Sequence, residues 1–337
     1  MQHQHGGQLR AAAERYGIAP ADWLDLSTGI NPLGWPVPPI PAEVFNRLPE
    51  PSESLERAAS DYYGNASLLH GAGSQPFIQT LPQLRPPGRV GLAALGYYEH
   101  RKAWQQAGHQ LVELATEQID AALAALDVLL LINPNNPTGQ RYCPQRLLAW
   151  HRRLAARGGW LLVDEAFIDS RPDGSLLARI DGDWPDGLIV LRSVGKFFGL
   201  AGIRSGFMFA SVELRQRMAA RLGPWAVSHP AQWLTGKALA DRDWQREARQ
   251  RLAGQGARLQ ALLSAQGWYG VELSGTDYFC TLSFDCAERA GQLHRQLAEN
   301  AILTRLFDQA GVVRFGLPAR EADWQRLAQV LARLSVD

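Results

Sequence analysis

The sequence predicts an α/β fold, and three features carry the prediction. Short apolar runs alternate with helical periodicity through the middle of the chain, the signature of a mostly parallel sheet between helices. Polar residues follow directly after several of those runs, where open α/β sheets collect ligands. Beyond about residue 212 the pattern becomes a long helical stretch and then a few strands, which predicts a small α+β C-terminal domain. At 337 residues, 46% of them hydrophobic, the chain is long enough for both cores. The expected division is an N-terminal arm over residues 1–28, a large domain over 29–235 and a small domain over 236–337.

The elements follow in order. The segment "NPLGWPVPPIPAE" is excluded from regular structure, because proline lacks a backbone donor and restricts the residue before it; it reads as a connection or lid edge. "SLLHGAGSQ" (67–75) passes from a strand into a small-residue turn before a helix. Further strands are expected at 89–95, 109–115, 127–133, 159–167, 187–194 and 205–211. Between them "YYEHRKAWQQAG", "TEQIDAALAAL" and "CPQRLLAWHRRLAARGG" read as helices, the last stopping at Gly158 and Gly159. After the long helical stretch come strands in "TDYFCTLSFD", "AILTRLF" and "GVVRFGL" and a closing helix in "READWQRLAQVLARLSV".

Composition narrows the function. A formal charge of +1 with interleaved acids and bases provides no field for nucleic acid, so a small-molecule partner is expected. Cys143, Cys280 and Cys286 lack the paired spacing of a zinc or redox site and read as reduced, buried or half-buried thiols. No run approaches the roughly 20 apolar residues that span a bilayer, and the first residues lack the apolar core of a secretory signal. No membrane association and a cytoplasmic location are therefore expected.

Chemistry concentrates at four strand ends. "NPNNPTG" (133–139) is a turn whose prolines and Gly139 aim an asparagine amide at one place. Asp164 and Glu165 end the apolar run "GWLLV", and Glu165 reads as a supporting or surface group. "GLIVLRS" leads into Ser193 and Lys196, with Arg204 eight residues further. The "GAGS" turn offers backbone amides before a helix, which suits a phosphate. Of 34 lysines and arginines only Lys102, Lys196 and Lys237 are lysine, yet Lys196 is kept in a glycine-rich apolar segment. A lysine amine can form a Schiff base and transfer a proton, which arginine cannot. The histidines His70, His100, His109, His151, His229 and His294 read as caps, surface or core positions. "GAGSQP" lacks the third glycine of a dinucleotide fingerprint, which weakens an oxidoreductase reading.

In their order, "NPNNPTG", "DEAFID" and "SVGKFFGLAGIRSG" resemble the motifs of fold-type-I pyridoxal 5'-phosphate (PLP) enzymes, the class I/II aminotransferase superfamily that includes histidinol-phosphate aminotransferase. The resemblance runs from "INPLG" to "VRFGLPA" and implies the PLP-dependent transferase fold, PLP as cofactor and a homodimer with sites at the subunit interface. By it Lys196 would bond to the cofactor aldehyde, and Asp164 would keep the pyridine nitrogen protonated. Asn136 would donate to the ring oxygen. Ser74, Ser193, Arg204 and the amides near Gly73 and Gln75 would hold the phosphate. Tyr97 would stack on the ring, with Tyr98 as the alternative.

The reaction is read from the substrate end. Arg314 matches the family arginine that receives a substrate carboxylate, and Arg305 stands where phosphate-ester members meet a substrate phosphate; a surface strand arginine is the alternative for Arg305. The N-terminal "HQHGG" and "INPLG" segments resemble those of threonine-phosphate decarboxylases of cobalamin biosynthesis. This places His5, Gly6, Gly7 and Asn31 at the substrate and implies a small phosphorylated amino acid, O-phospho-L-threonine. The alternatives are a histidinol-phosphate-type aminotransferase using 2-oxoglutarate and a PLP-binding protein without turnover. Two positions depart from the aminotransferase pattern. Phe167 replaces a tyrosine whose hydroxyl would be worth on the order of 1 kcal/mol to the ring oxygen, and Leu48 replaces a tyrosine that would reach the neighbouring subunit's cofactor phosphate.

Overall fold

A computed structural model describes residues 6–180 and 182–334. The chain forms two compact units: one comprises the segment up to Leu33, Pro137–Gly139 and the segment from Gln250 onward, the other Gly34–Asn136 and Gln140–Arg249. Strand β1 (Leu24–Asp25) lies in the first unit. The second carries β2 (Leu68–Gly71), β3 (Arg89–Leu92), β4 (Gln110–Glu113), β5 (Val128–Ile132), β6 (Trp160–Asp164), β7 (Leu188–Ser193) and β8 (Gly206–Phe209). All the strands expected there are present, one to three residues shorter at most ends.

These seven strands make one sheet in the order β2-β8-β7-β6-β5-β3-β4. Only β8 runs against its neighbours. The middle strands are apolar throughout because both faces are covered, and every residue of β5 is buried. The helix Pro144–Ala155 buries Leu147, Trp150 and Leu154 at helical spacing. Beyond it the Gly159 amide donates to the Leu154 carbonyl at 2.9 Å, satisfying a helix-end acceptor.

Register decides what this sheet presents. Pairing of Ile132 with Asp164 and of Asp164 with Leu191 aligns the carboxyl ends of β5, β6 and β7. Because β8 is reversed, its first residue Gly206 pairs with Ser193 at the end of β7 and with Gly71 at the end of β2. One edge of the sheet therefore gathers the residues after Gly71, Ile132 and Leu191 and those before Gly206.

The first unit contains β9 (Glu272–Gly275), β10 (Phe279–Ser283), β11 (Ile302–Leu303), β12 (Arg305–Phe307) and β13 (Val312–Gly316). Four form an antiparallel sheet in the order β12-β13-β10-β9, while β11 pairs in parallel with β1. "AILTRLF", expected as one strand, is thus split between two sheets. The break falls at buried Thr304, whose hydroxyl is tied to His294 Nδ1 at 2.8 Å. The thiols also need correcting: Cys280 is buried but Cys143 and Cys286 are exposed, because each precedes a helix at its surface end.

The turn at Gly139 is intolerant of a side chain. Its φ is +72°, and a Cβ there would fall 2.3 Å from the Gly275 carbonyl oxygen. Gly139→Ala is expected to cost about 2 kcal/mol or more in urea unfolding. Gly291→Ala, in the open face of the helix Ala287–Glu299, is expected to gain about 0.5–1 kcal/mol in the same assay.

Candidate active site

The edge of the large sheet collects the polar residues singled out in the sequence. Asp164, at the tip of β6, is buried; its Oδ2 lies 2.8 Å from His100 Nε2, and its Oδ1 accepts the Ala166 amide at 3.1 Å. His100 is itself buried, on the first turn of the helix Tyr98–Gln106. Two buried groups of opposite tendency in direct contact make a rigid pair. Sequence reasoning passed His100 over among the other histidines. The signal was available: Tyr97 and His100 are three apart at a helix start, which puts both on one face.

Lys196 sits in the short helix Val194–Phe197, which Ser193 caps by accepting the Gly195 amide at 3.3 Å. Its Nζ lies 5.5 Å from the centroid of the Phe167 ring, and Phe167 is buried. The residue that departs from the aminotransferase pattern thus faces the lysine directly, offering it an aromatic surface and no hydroxyl.

Arg204 adopts the left-handed conformation, φ +53°, rare for a branchless non-glycine residue. Its Nη1 donates to the Ala201 carbonyl at 3.2 Å, and its Nη2 lies against Gly73, where a Cβ would fall 2.8 Å away. Gly73 itself has φ +79°. Gly206 meets the same turn, since a Cβ on it would lie 2.9 Å from the Gly73 carbonyl carbon and 3.0 Å from the Ser74 nitrogen. Gly73, Ser74 and Arg204 are therefore in one place, beside Ser193 across the β7–β8 pair.

Tyr97 follows β3 by five residues and caps the helix that carries His100. Its hydroxyl donates to Gln75 Oε1 at 3.3 Å, while Gln75 Nε2 donates to Glu99 Oε2 at 2.9 Å. Burial first, then the fields of Glu99 and Asp164, push the Tyr97 phenol up to about 12, so it stays protonated. In the asparagine turn Asn133 bonds to both backbone groups of Tyr142, and Asn135 donates to the Leu95 carbonyl at 2.9 Å. These two hold the turn, and half-buried Asn136 follows them.

Glu165 is fully buried, which corrects its reading as a surface group. Its carboxylate accepts the Ser175 hydroxyl, the Leu176 amide and Arg192. Arg192 also bonds Asp169, which accepts the Tyr62 hydroxyl at 2.8 Å. Burial raises the Glu165 carboxyl above its usual range against the pull of Arg192. Burial opposes the charge of Arg192 too, but Asp169 and Glu165 hold it protonated. This is a structural ion cluster.

The first unit carries the predicted substrate-end residues. Arg305 and Arg314 are direct cross-strand partners in β12 and β13, which places two cations side by side on one face. Arg305 is half-buried. Burial first, and then Arg305, push the Arg314 guanidinium down to about 9. Arg314 Nη2 donates to the Ser27 carbonyl at 2.6 Å. The Ser27 hydroxyl in turn accepts the Gly7 amide at 2.8 Å, and a Cβ on Gly6 would fall 2.4 Å from the Ser27 carbonyl oxygen. Gly6 and Gly7 are thus brought to the Ser27 bend that Arg314 holds. Asn31 is buried and accepts the Leu33 amide at 3.0 Å. His5 lies outside the described residues.

The family description "Aminotransferase class I and II" matches residues 42–330. The chain is 50% identical over 328 residues to a threonine-phosphate decarboxylase of Pseudomonas aeruginosa, covering 97% of each chain. It is 41% identical to another of that name from Sinorhizobium sp, covering 98% of each. Among solved structures, histidinol-phosphate aminotransferase from Sinorhizobium meliloti in complex with pyridoxal-5'-phosphate superposes with a TM-score of 0.83 at 19% identity, covering 99% of this chain and 97% of that one. At that identity the likeness speaks for the fold alone.

The Asp164–His100 pair can be measured directly. Asp164→Ala leaves a buried imidazole without its acceptor and is expected to cost about 1–3 kcal/mol in urea unfolding. In a double-mutant cycle with His100→Phe the coupling is expected to reach about 1 kcal/mol; additive losses would mean that the contact contributes nothing.

Proposed function

Because the chain belongs to the class I and II aminotransferase family, we propose that it is a PLP-dependent lyase that decarboxylates O-phospho-L-threonine to (R)-1-amino-2-propanol phosphate, a step of cobalamin biosynthesis. The observation that carries the reading is the pairing of Arg305 with Arg314 beside the Gly6–Gly7 segment. Two guanidinium groups side by side on one sheet face concentrate positive charge and hydrogen-bond donors, which suits anionic groups. An amino acid with a phosphate ester supplies two anionic groups. The relatives at 50% and 41% identity carry the decarboxylase name, which favours this reaction over transamination.

The residues fit PLP. Asp164 is a buried acceptor suited to a pyridinium nitrogen, Lys196 is an amine beside an aromatic wall, and Arg204 with the Gly73–Ser74 turn is a cation beside backbone amides. When bound, PLP supplies an aldehyde that captures the substrate amine and a protonated ring that accepts an electron pair from Cα. Asp164, oriented by His100, would keep the proton at the ring nitrogen. Asn136 would donate to the ring oxygen and Tyr97 would cover the ring. Ser74, Ser193, Arg204 and the amides of Gly73 and Gln75 would hold the cofactor phosphate.

Arg305 and the arm at His5, Gly6 and Gly7 hold the substrate phosphate, with Arg314 and Asn31 sharing in the anionic end. Their task is orientation, because only the Cα bond perpendicular to the ring breaks readily. These residues would set which bond at the substrate Cα is presented for cleavage, and Lys196 would deliver a proton to Cα. Phe167 gives the Lys196 amine an aromatic surface in place of a hydroxyl.

We further propose a cytoplasmic homodimer. Val37, Phe45 and Leu48 are exposed apolar residues of one segment, which supports a partner surface. No helix among the described residues is long and apolar enough to cross a membrane.

Offered O-phosphothreonine without any keto acid, the purified protein is expected to release carbon dioxide and aminopropanol phosphate. Turnover only after a keto acid is added would transfer the case to an aminotransferase. Borohydride should fix the cofactor to the peptide containing Lys196, and Lys196→Ala should abolish turnover; label on Lys102 or Lys237 would sink the assignment. Arg305→Gln is expected to raise the KM for O-phosphothreonine roughly tenfold or more. An unchanged KM would remove Arg305 from the site.

A further inference from the structure

Beneath the Arg204–Gly73 contact lies a line of polar side chains that the proposed reaction does not use. Thr235, fully buried in the helix His229–Ala240, donates its hydroxyl to Ser205 Oγ at 2.7 Å. Ser205 Oγ lies 2.8 Å from His70 Nε2. Ser205 Oγ keeps its own proton and a second lone pair after accepting from Thr235, so it bonds a neutral His70 in either tautomer. Burial pushes His70 down to about 4, which agrees with a neutral ring. The imidazole is also stacked on Phe207, with centroids 4.7 Å apart, so it cannot rotate away.

The positions of these residues give the line its consequence. Ser205 directly follows Arg204, and its carbonyl accepts the Val194 amide at 3.1 Å, next to Ser193. His70 immediately precedes the turn Gly71–Ser74. One hydroxyl therefore joins the backbone that carries Arg204 to the strand that leads into the Gly73–Ser74 turn, and anchors both to a helix. Arg204 needs such an anchor, because the left-handed backbone is unfavourable for a non-glycine residue.

We propose that Thr235, Ser205 and His70 are positioning residues that clamp Arg204 against the Gly73–Ser74 turn and so set the affinity of this site for a phosphate group. The inference rests on the reading of Arg204 and that turn as the cofactor-phosphate site. Removing the clamp lets Arg204 relax and spreads the donors apart. The loss then falls on the phosphate and spares the ring contacts, which come from Asp164 and Tyr97.

The test compares PLP with pyridoxal, which lacks the phosphate, on the full-length protein stripped of cofactor. Thr235→Val removes the donor at nearly constant volume and is expected to weaken PLP binding about tenfold while leaving pyridoxal within about twofold. Thr235→Ser should restore PLP affinity, and Ser205→Ala should repeat the selective loss. Equal weakening of both ligands, or no change in either, would overturn the clamp. Arg204→Gln serves as the control: if it leaves the preference for PLP over pyridoxal intact, the phosphate-site reading fails and the clamp with it. If Arg204→Gln abolishes the preference but Thr235→Val and Ser205→Ala do not, only the clamp fails.

Discussion

The reversed strand β8 is the constraint on which the site depends. Parallel strands β5, β6 and β7 would align their carboxyl ends in any sheet of this kind. Pairing of Ser193 with Gly206 additionally returns the chain to that same edge thirteen residues after Ser193, with Arg204 two residues before the strand begins. Pairing of Gly71 with Gly206 then brings in the glycine turn from β2. Both contacts use glycine where a side chain would collide, so backbone and guanidinium can approach closely.

The two units solve opposite electrostatic problems. In the large unit, Asp164 is hydrogen-bonded to His100, and Arg192 is paired with Glu165 and Asp169. Such pairs repay part of the cost of burial and hold the strand ends rigidly. In the other unit, Arg305 and Arg314 are placed opposite each other, and Arg314 is pushed down by burial and by its neighbour. Two adjacent guanidinium groups gather positive charge and donors on one face, which is what a site for anions requires.

The proposed division of labour follows from residue chemistry. Arginine serves where a permanent cation is wanted, at Arg204, Arg305 and Arg314. Lysine serves at the one position where a covalent bond and a mobile proton are required. Phe167 adds an aromatic face to that lysine and removes a possible hydroxyl partner. Decarboxylation and transamination share almost all of this apparatus, so the choice between them rests with the groups that orient the substrate.

The strands of the large sheet were legible in the sequence because each is a short apolar run closed by a turn. The residues at their ends were legible because lysine, aspartate and asparagine are conspicuous beside such runs. Their spacing alone could not tell His100 from five other histidines, since burial against Asp164 depends on which helix covers which strand end. Nor could it tell that Glu165 is buried, that Thr304 breaks an apolar run into two strands, or that Arg305 faces Arg314. Those facts come from register, and a shift of one residue turns a strand side chain to the other face. Composition and local pattern by themselves determined the α/β class and the strand ends, and singled out Lys196. Only the tertiary structure decided which polar groups meet, because contacts between residues far apart in sequence are set by strand pairing and packing.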